Sequence, residues 1–219
     1  MIPALLTAVL SAASPAESDA NIAALVEQLR TGQGPGGRVG AAKELAELGP
    51  KAKAAIPALC EALKYKDGWV RGKCAEALAY MGPDAAAAVG PLTGLLTDRS
   101  WDARVKAATA LGWIGSAAKP SAAGLAGMLA SDKDADARSA AAWALGRVGA
   151  EPAAAVPALK AALADGSKFV RLYAADSLLR IEPSGPSADA AREVLAALAG
   201  DADALVRGEV ARVRAEAGR

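Results

Sequence analysis

Residues 102–115 read DARVKAATALGWIG, and the same pattern returns along the chain. WVRGKCAEALAYMG begins at Trp69, DARSAAAWALGRVG at Asp136 and FVRLYAADSLLRIE at Phe169; a weaker copy, GRVGAAKELAELG, begins at Gly37. One arginine anchors each copy: Arg38, Arg71, Arg104, Arg138, Arg171 and, in a last copy, Arg207. The intervals are 33, 33, 34, 33 and 36 residues. Gly49, Gly82, Gly115 and Gly149 follow in register. Self-similarity at a fixed period of this length marks a repeat architecture.

Each copy has helical spacing: Val70, Cys74, Leu78 and Met81 form one apolar stripe with Ala75 beside it. A second apolar pattern precedes each copy, with leucines four apart: Leu25 and Leu29, Leu59 and Leu63, Leu92 and Leu96, Leu125 and Leu129, Leu159 and Leu163. Leu195 and Ala199 continue it. The unit is therefore helix, short turn, helix. Glycine after the second helix suits a left-handed C-terminal cap, and Pro50 and Pro83 stop the helix. Asp67, Asp134 and Asp203, four residues before the anchor arginine, are placed to cap the second helix. Pro57 and Pro157 fall near the start of the first helix, where a missing N–H costs little. Ser100 and Ser167 replace the capping Asp in two copies. Arg214 stands where earlier copies have Leu78, Leu111 or Leu145, as suits a terminal unit facing water.

Apolar residues make up 53% of the 219 residues but aromatics only 4%, so the core is mostly Ala with Leu, Val and Ile. Such small side chains let helices approach closely. The expected fold is all-α: an α-solenoid of about six two-helix repeats forming one domain over residues 20–219. Its repeats span about 20–49, 50–82, 83–115, 116–149, 150–182 and 183–219. Residues 1–19 are set apart. The apolar run from Ile2 to Ala13 is too short to span a bilayer. Read as a signal peptide, residues 1–16 imply export to the periplasm or beyond; read as a short N-terminal capping helix, they leave a cytoplasmic protein.

The pattern resembles HEAT repeats, in particular the short bacterial, phycobilisome-lyase-like variety. The resemblance rests on Pro57 and Pro157, the turn Asp, the pairs Val70-Arg71, Val170-Arg171 and Val206-Arg207, and the Ala-Ala and Leu-Gly pairs of the second helix. It implies a right-handed superhelix, related to armadillo-like arrays, whose second helices line a concave surface.

On that surface fall the positions two residues before the anchor arginine and two, five and nine after it. Six of the eight aromatics occupy them: Trp69, Tyr80, Trp113, Trp143, Phe169 and Tyr173. Lys73, Glu76, Arg147, Asp176 and Arg180 share the stripe. Exposed aromatics among charges have the composition of binding hot spots. These eleven residues are the candidate site for a protein or peptide partner, in a scaffold that does no chemistry. The anchor arginines, with Asp67, Asp134 and Asp203, read instead as a structural ladder between repeats. Trp101 obeys no repeat rule, its equivalents being Pro35, Gly68, Ala135 and Lys168.

Other functions are constrained by what is missing. The chain has no histidine, which removes imidazole acid–base chemistry and histidine metal sites. Two cysteines cannot build a four-thiolate site; Cys74 reads as a small buried hydrophobe, and export would permit a bond to Cys60 that the spacing does not decide. No metal, cofactor or catalytic residue is assigned. A net charge of +1 gives no field for gathering nucleic acid, so that partner ranks low. The resemblance keeps one alternative, a bilin-lyase-like or chaperone-like accessory protein whose rings hold a tetrapyrrole. A diiron hydroxylase of related fold is set aside, because its ligands are His-Glu pairs. Monomer is the default, with oligomeric state open.

Overall fold

The computed structural model describes residues 15–34 and 36–217. The segment 1–14, and with it the choice between a leader and a capping helix, lies outside them. The described residues form six helix pairs and no strand. The pairs are α1 (Pro15–Thr31) with α2 (Gly37–Leu48), α3 (Ile56–Ala62) with α4 (Gly68–Met81), and α5 (Val89–Leu95) with α6 (Trp101–Ile114). Then follow α7 (Ala122–Ser131) with α8 (Ala135–Leu145), α9 (Pro152–Ala162) with α10 (Lys168–Ile181), and α11 (Pro186–Leu198) with α12 (Ala204–Ala217). Stacked in order, they make an α-solenoid. No helix among the described residues is long and apolar enough to cross a membrane.

Helix ends follow local chemistry, with two departures from expectation. Gly82 (φ 56°, ψ −133°) and Gly115 (φ 76°, ψ −138°) end α4 and α6 with positive φ. Their ψ is not that of a left-handed helix; this region is open to glycine because it lacks a Cβ. A 3-10 turn follows at Gly49–Ala55, Gly82–Ala88 and Gly115–Ser121, and the first helix of those units starts only after it. Pro57 sits in the first turn of α3, but Pro157 lies inside α9, whose first position is taken by Pro152. The fifth unit has no 3-10 turn, so its helix starts earlier.

Leu59, Leu92, Leu125 and Leu159 of the first helices share one core with Leu78, Leu111, Leu145 and Leu178 of the second, all fully buried. The second helices touch each other more extensively than the first helices do, which makes them the inner layer of the curve. Glycine permits the approach: a Cβ at Gly146 would lie 2.9 Å from the Ser177 Cα, and one at Gly112 3.2 Å from the Ala144 Cα. Arg214 faces solvent.

The turns are threaded by arginine. Arg71 donates from Nε and Nη2 to Asp98 (2.8 and 2.6 Å) and from Nη1 to the carbonyls of Tyr65 and Lys66 in its own turn. Arg104 does the same to Asp132 (2.6 and 2.8 Å) and the Asp98 carbonyl, and Arg138 to Asp165 (2.8 and 2.9 Å) and the Asp132 carbonyl. Each Asp also accepts the N–H two residues on, from Ser100, Asp134 and Ser167. This corrects the carboxylates assigned to the ladder. Asp67, Asp134 and Asp203 accept helix N–H groups from Trp69, Asp136 and Leu205 and take no anchor arginine. They sit at the cap, four residues before the arginine; the arginine of the preceding unit reaches position six. Neither Ser100 nor Ser167 caps with its side chain.

The ladder changes at both ends. Arg38 bonds the carbonyls of Arg30 and Thr31 and lies 5.0 Å from the ring centre of Tyr65, which stands where later units have Asp. Arg171 bonds only the carbonyls of Asp165 and Gly166. Asp201, after the longer 36-residue interval, pairs with Lys168 at 3.1 Å instead. Arg207 bonds the carbonyls of Asp201 and Ala202.

Burial opposes the charged forms of Asp98 and Asp132, but the hydrogen bonds from Arg71 and Arg104, the N–H groups of Ser100 and Asp134 and the nearby arginine charges together outweigh it and hold both below the ordinary carboxylate value. For Asp165 the bond from Arg138 is the largest influence, in the same direction. The Arg104–Asp132 side chains are 9% and 6% exposed. Arg104→Leu strands a buried carboxylate and is expected to lower the unfolding free energy in urea by about 3 kcal/mol. Arg207→Ala removes only exposed carbonyl bonds and should cost about 1 kcal/mol or less; equal losses would show the ladder to be unimportant. Carboxyls depressed in the fold contribute fully above the unfolded Asp value, about 3.9, and lose that contribution as pH falls through their lower folded values. With no histidine in the chain, the urea midpoint should be flat from about pH 7 to pH 5 and fall below about pH 4. Asp165→Asn should make that fall shallower.

Candidate functional site

The inner layer carries a row of side chains with three different characters. At its N-terminal end α4 presents Trp69 and Tyr80, 52% and 62% exposed. The Lys73 ammonium lies 5.1 Å from the Trp69 ring centre and bonds Glu76 at 2.7 Å, while Lys106 of α6 bonds the same Glu76 at 2.5 Å. Burial acts to raise the Glu76 carboxyl, and the bonds from Lys106 and Lys73 outweigh it and hold it down. This bridge locks α4 to α6 across the row.

The centre is aromatic. Trp113 of α6 is 52% exposed and Trp143 of α8 is half-buried; their ring centres lie 5.4 Å apart at 60°. Trp143 lies against Gly112, in space that any side chain there would fill. Arg147, just beyond α8, places its guanidinium 4.4 Å from the Trp143 centre and 5.4 Å from that of Trp113. A groove of about 480 Å³ opens here, lined among others by Trp113, Gly146, Arg147 and Arg180.

The C-terminal end is an ion-pair network. Asp176 of α10 is only 4% exposed and pairs with Arg180 at 3.1 Å and Arg212 at 3.7 Å. Arg212 bonds Glu209 and Glu216, and Glu216 also accepts Arg180. Asp176 therefore leaves the candidate contact set: it lies beneath the two arginines, brought over it by the packing of α12 on α10. Phe169 and Tyr173 are half-buried against the core. Burial, then Glu209, pushes the Tyr173 hydroxyl up.

Of the sequence-chosen residues, the structure brings Trp113, Arg147 and Arg180 to one groove, packs Trp143 against Trp113 and Arg147, and places Trp69, Lys73, Glu76 and Tyr80 on the same row. Lys106, Glu209, Arg212 and Glu216 belong to the row but were not chosen; their offsets from Arg104 and Arg207 are the signal. Trp101 is 53% exposed off the row. Cys60 and Cys74 are free thiols, and burial pushes Cys74 up to about 12. Among the described residues no group of three His, Cys, Asp or Glu could hold a metal ion.

The two central rings differ in what they support. Trp143→Ala should cost about 2 kcal/mol in urea unfolding, because it empties the space over Gly112. Trp113→Ala, with half its surface in water, should cost less than about 1 kcal/mol. A Trp113 variant that unfolds as readily as the Trp143 variant would make both rings structural.

The description HEAT repeats matches residues 22–89, 84–146 and 122–215. An engineered protein of known structure superposes with a TM-score of 0.67 at 26% identity, over 90% of this chain and 96% of its own. Computationally designed armadillo repeat proteins for modular peptide recognition give 0.62 at 17% identity, over 88% and 98%. The complex of CpcE and CpcF of phycocyanin lyase from Nostoc sp. gives 0.54 at 24% identity, over 74% and 98%. At these identities the last two bear on the fold alone. Comparison with curated proteins yields no match. Three family matches that together span nearly the whole chain, on a stack of six helix pairs, place this protein in the HEAT-repeat family.

Proposed function

We propose that this chain is a non-enzymatic scaffold that binds a protein or peptide partner along its inner helix row. The observation that carries the reading is the central cluster: Trp113 and Trp143 on helices α6 and α8, with Arg147 in the turn after α8, beside an open groove. Aromatic rings and arginine with little conformational freedom to lose give most binding energy per residue. Tyr80 and Trp69 extend the same surface, and Lys73, Glu76 and Arg180 are its polar rim. Designed armadillo repeats that recognise peptides share the fold, and solenoids in general present such extended concave faces.

A photo-crosslinking amino acid placed at Tyr80 or Trp113, with Lys160 on the outer helix α9 as control, tests this in cells of the native host. Polypeptide adducts are expected from the two inner positions and not from 160. Adducts equal at all three positions, or from 160 alone, would overturn the reading. A visible absorption band retained after mixing the purified protein with a bilin would instead assign the groove to chromophore handling.

A further inference from the structure

Along the inner row, among the described residues, every cation except one is answered by a carboxylate of the chain itself. Lys43 lies 4.0 Å from Glu47; Lys73 and Lys106 share Glu76; Arg180 has Asp176 and Glu216; Arg212 has Glu209, Glu216 and Asp176. Arg147 has no ion pair. Its Nε is buried without a hydrogen-bond partner, while its terminal Nη groups are not enclosed and the residue lines the groove. Two indole faces hold the guanidinium in place, so its plane is fixed before anything binds. Burial and then the charge of Arg180 weigh against its protonated form, and the charge of an incoming anion acts in the opposite direction.

We infer that Arg147 docks a carboxylate side chain of an extended peptide, with the exposed Trp113 covering the apolar residue beside it. The inference rests on the peptide-binding reading above and adds the chemistry of the ligand. One unmatched positive charge suits a monoanion, since Arg180 is already neutralised. Two free terminal N–H edges match the planar fork of a carboxylate. Asp176 and Glu216, near enough to act on Arg147, repel a dianion such as a phosphate group. A nucleic-acid backbone needs a series of free cations, and this row offers one.

The test uses the whole protein and a display library of random dodecapeptides, selected on wild type and on Arg147→Gln. Wild type should enrich peptides with an acidic residue next to an apolar one. For the best of these, replacing the acid by its amide should weaken binding about tenfold or more in fluorescence anisotropy, as loss of a charged hydrogen-bonded pair does. On Arg147→Gln the same replacement should change nothing further, and Arg147→Lys, which keeps charge without the fork, should fall between. Enriched peptides indifferent to charge, or an acid effect that persists in Arg147→Gln, would overturn this inference and leave the groove standing. Displacement of the peptide by an oligothymidylate at equal concentration would also overturn it. Failure to enrich any peptide would overturn the groove reading together with this one.

Discussion

A guanidinium that binds forward and backward at once sets the geometry of this molecule. Arg71, Arg104 and Arg138 each clasp the Asp of the next turn with two N–H groups and hold their own turn with a third. The inner helices bury Ala75, Ala108, Ala142 and Ala175 completely. Surfaces made of methyl groups are smooth and resist sliding only weakly. Bidentate charge pairs have direction, so they fix the register that an alanine core leaves soft. The curvature and the inner row follow from that register.

Close packing and exposed rings are one feature here. Gly112 lets α6 and α8 approach, and the volume it leaves is where Trp143 rests. Trp113 and Arg147 then build on Trp143. The two rings thus stand on helix backbone, which suits a surface that must lose little freedom on binding. On either side of it, charges of the chain neutralise each other; at its middle one remains unmatched.

The helix pairs, their order and the anchor arginines were legible in the sequence because a period near 33 residues repeats physical constraints that each unit must satisfy. Partner choice across units was less so. Asp98, Asp132 and Asp165 do stand in register, six residues before an arginine, but the cap four residues before it carries the better-known signature and drew the assignment. Pro157 depends on where the fifth unit drops its 3-10 turn. A helical wheel gave the right face for Asp176 and the wrong exposure, since it measures angle about one axis and α12 supplies the cover. The missing counter-ion of Arg147 belongs to distances among α6, α8 and α10, which no single helix pattern contains.

The joint between the fifth and sixth units, like the first, lacks the arginine–carboxylate clasp of the three between them. Arg171 finds no carboxylate, and what crosses the inner side is Arg180 with Glu216, 31% and 36% exposed, and Arg212 with the buried Asp176 at 3.7 Å, where Arg104 with Asp132 is nearly enclosed. In a linear array each interface has its own stability. Dissolved ions screen exposed charges and barely reach buried ones. Ionic strength therefore acts unevenly along this solenoid: it weakens the exposed pairs, Lys119 with Glu151 and Arg180 with Glu216, and leaves the enclosed Arg104–Asp132 clasp in place.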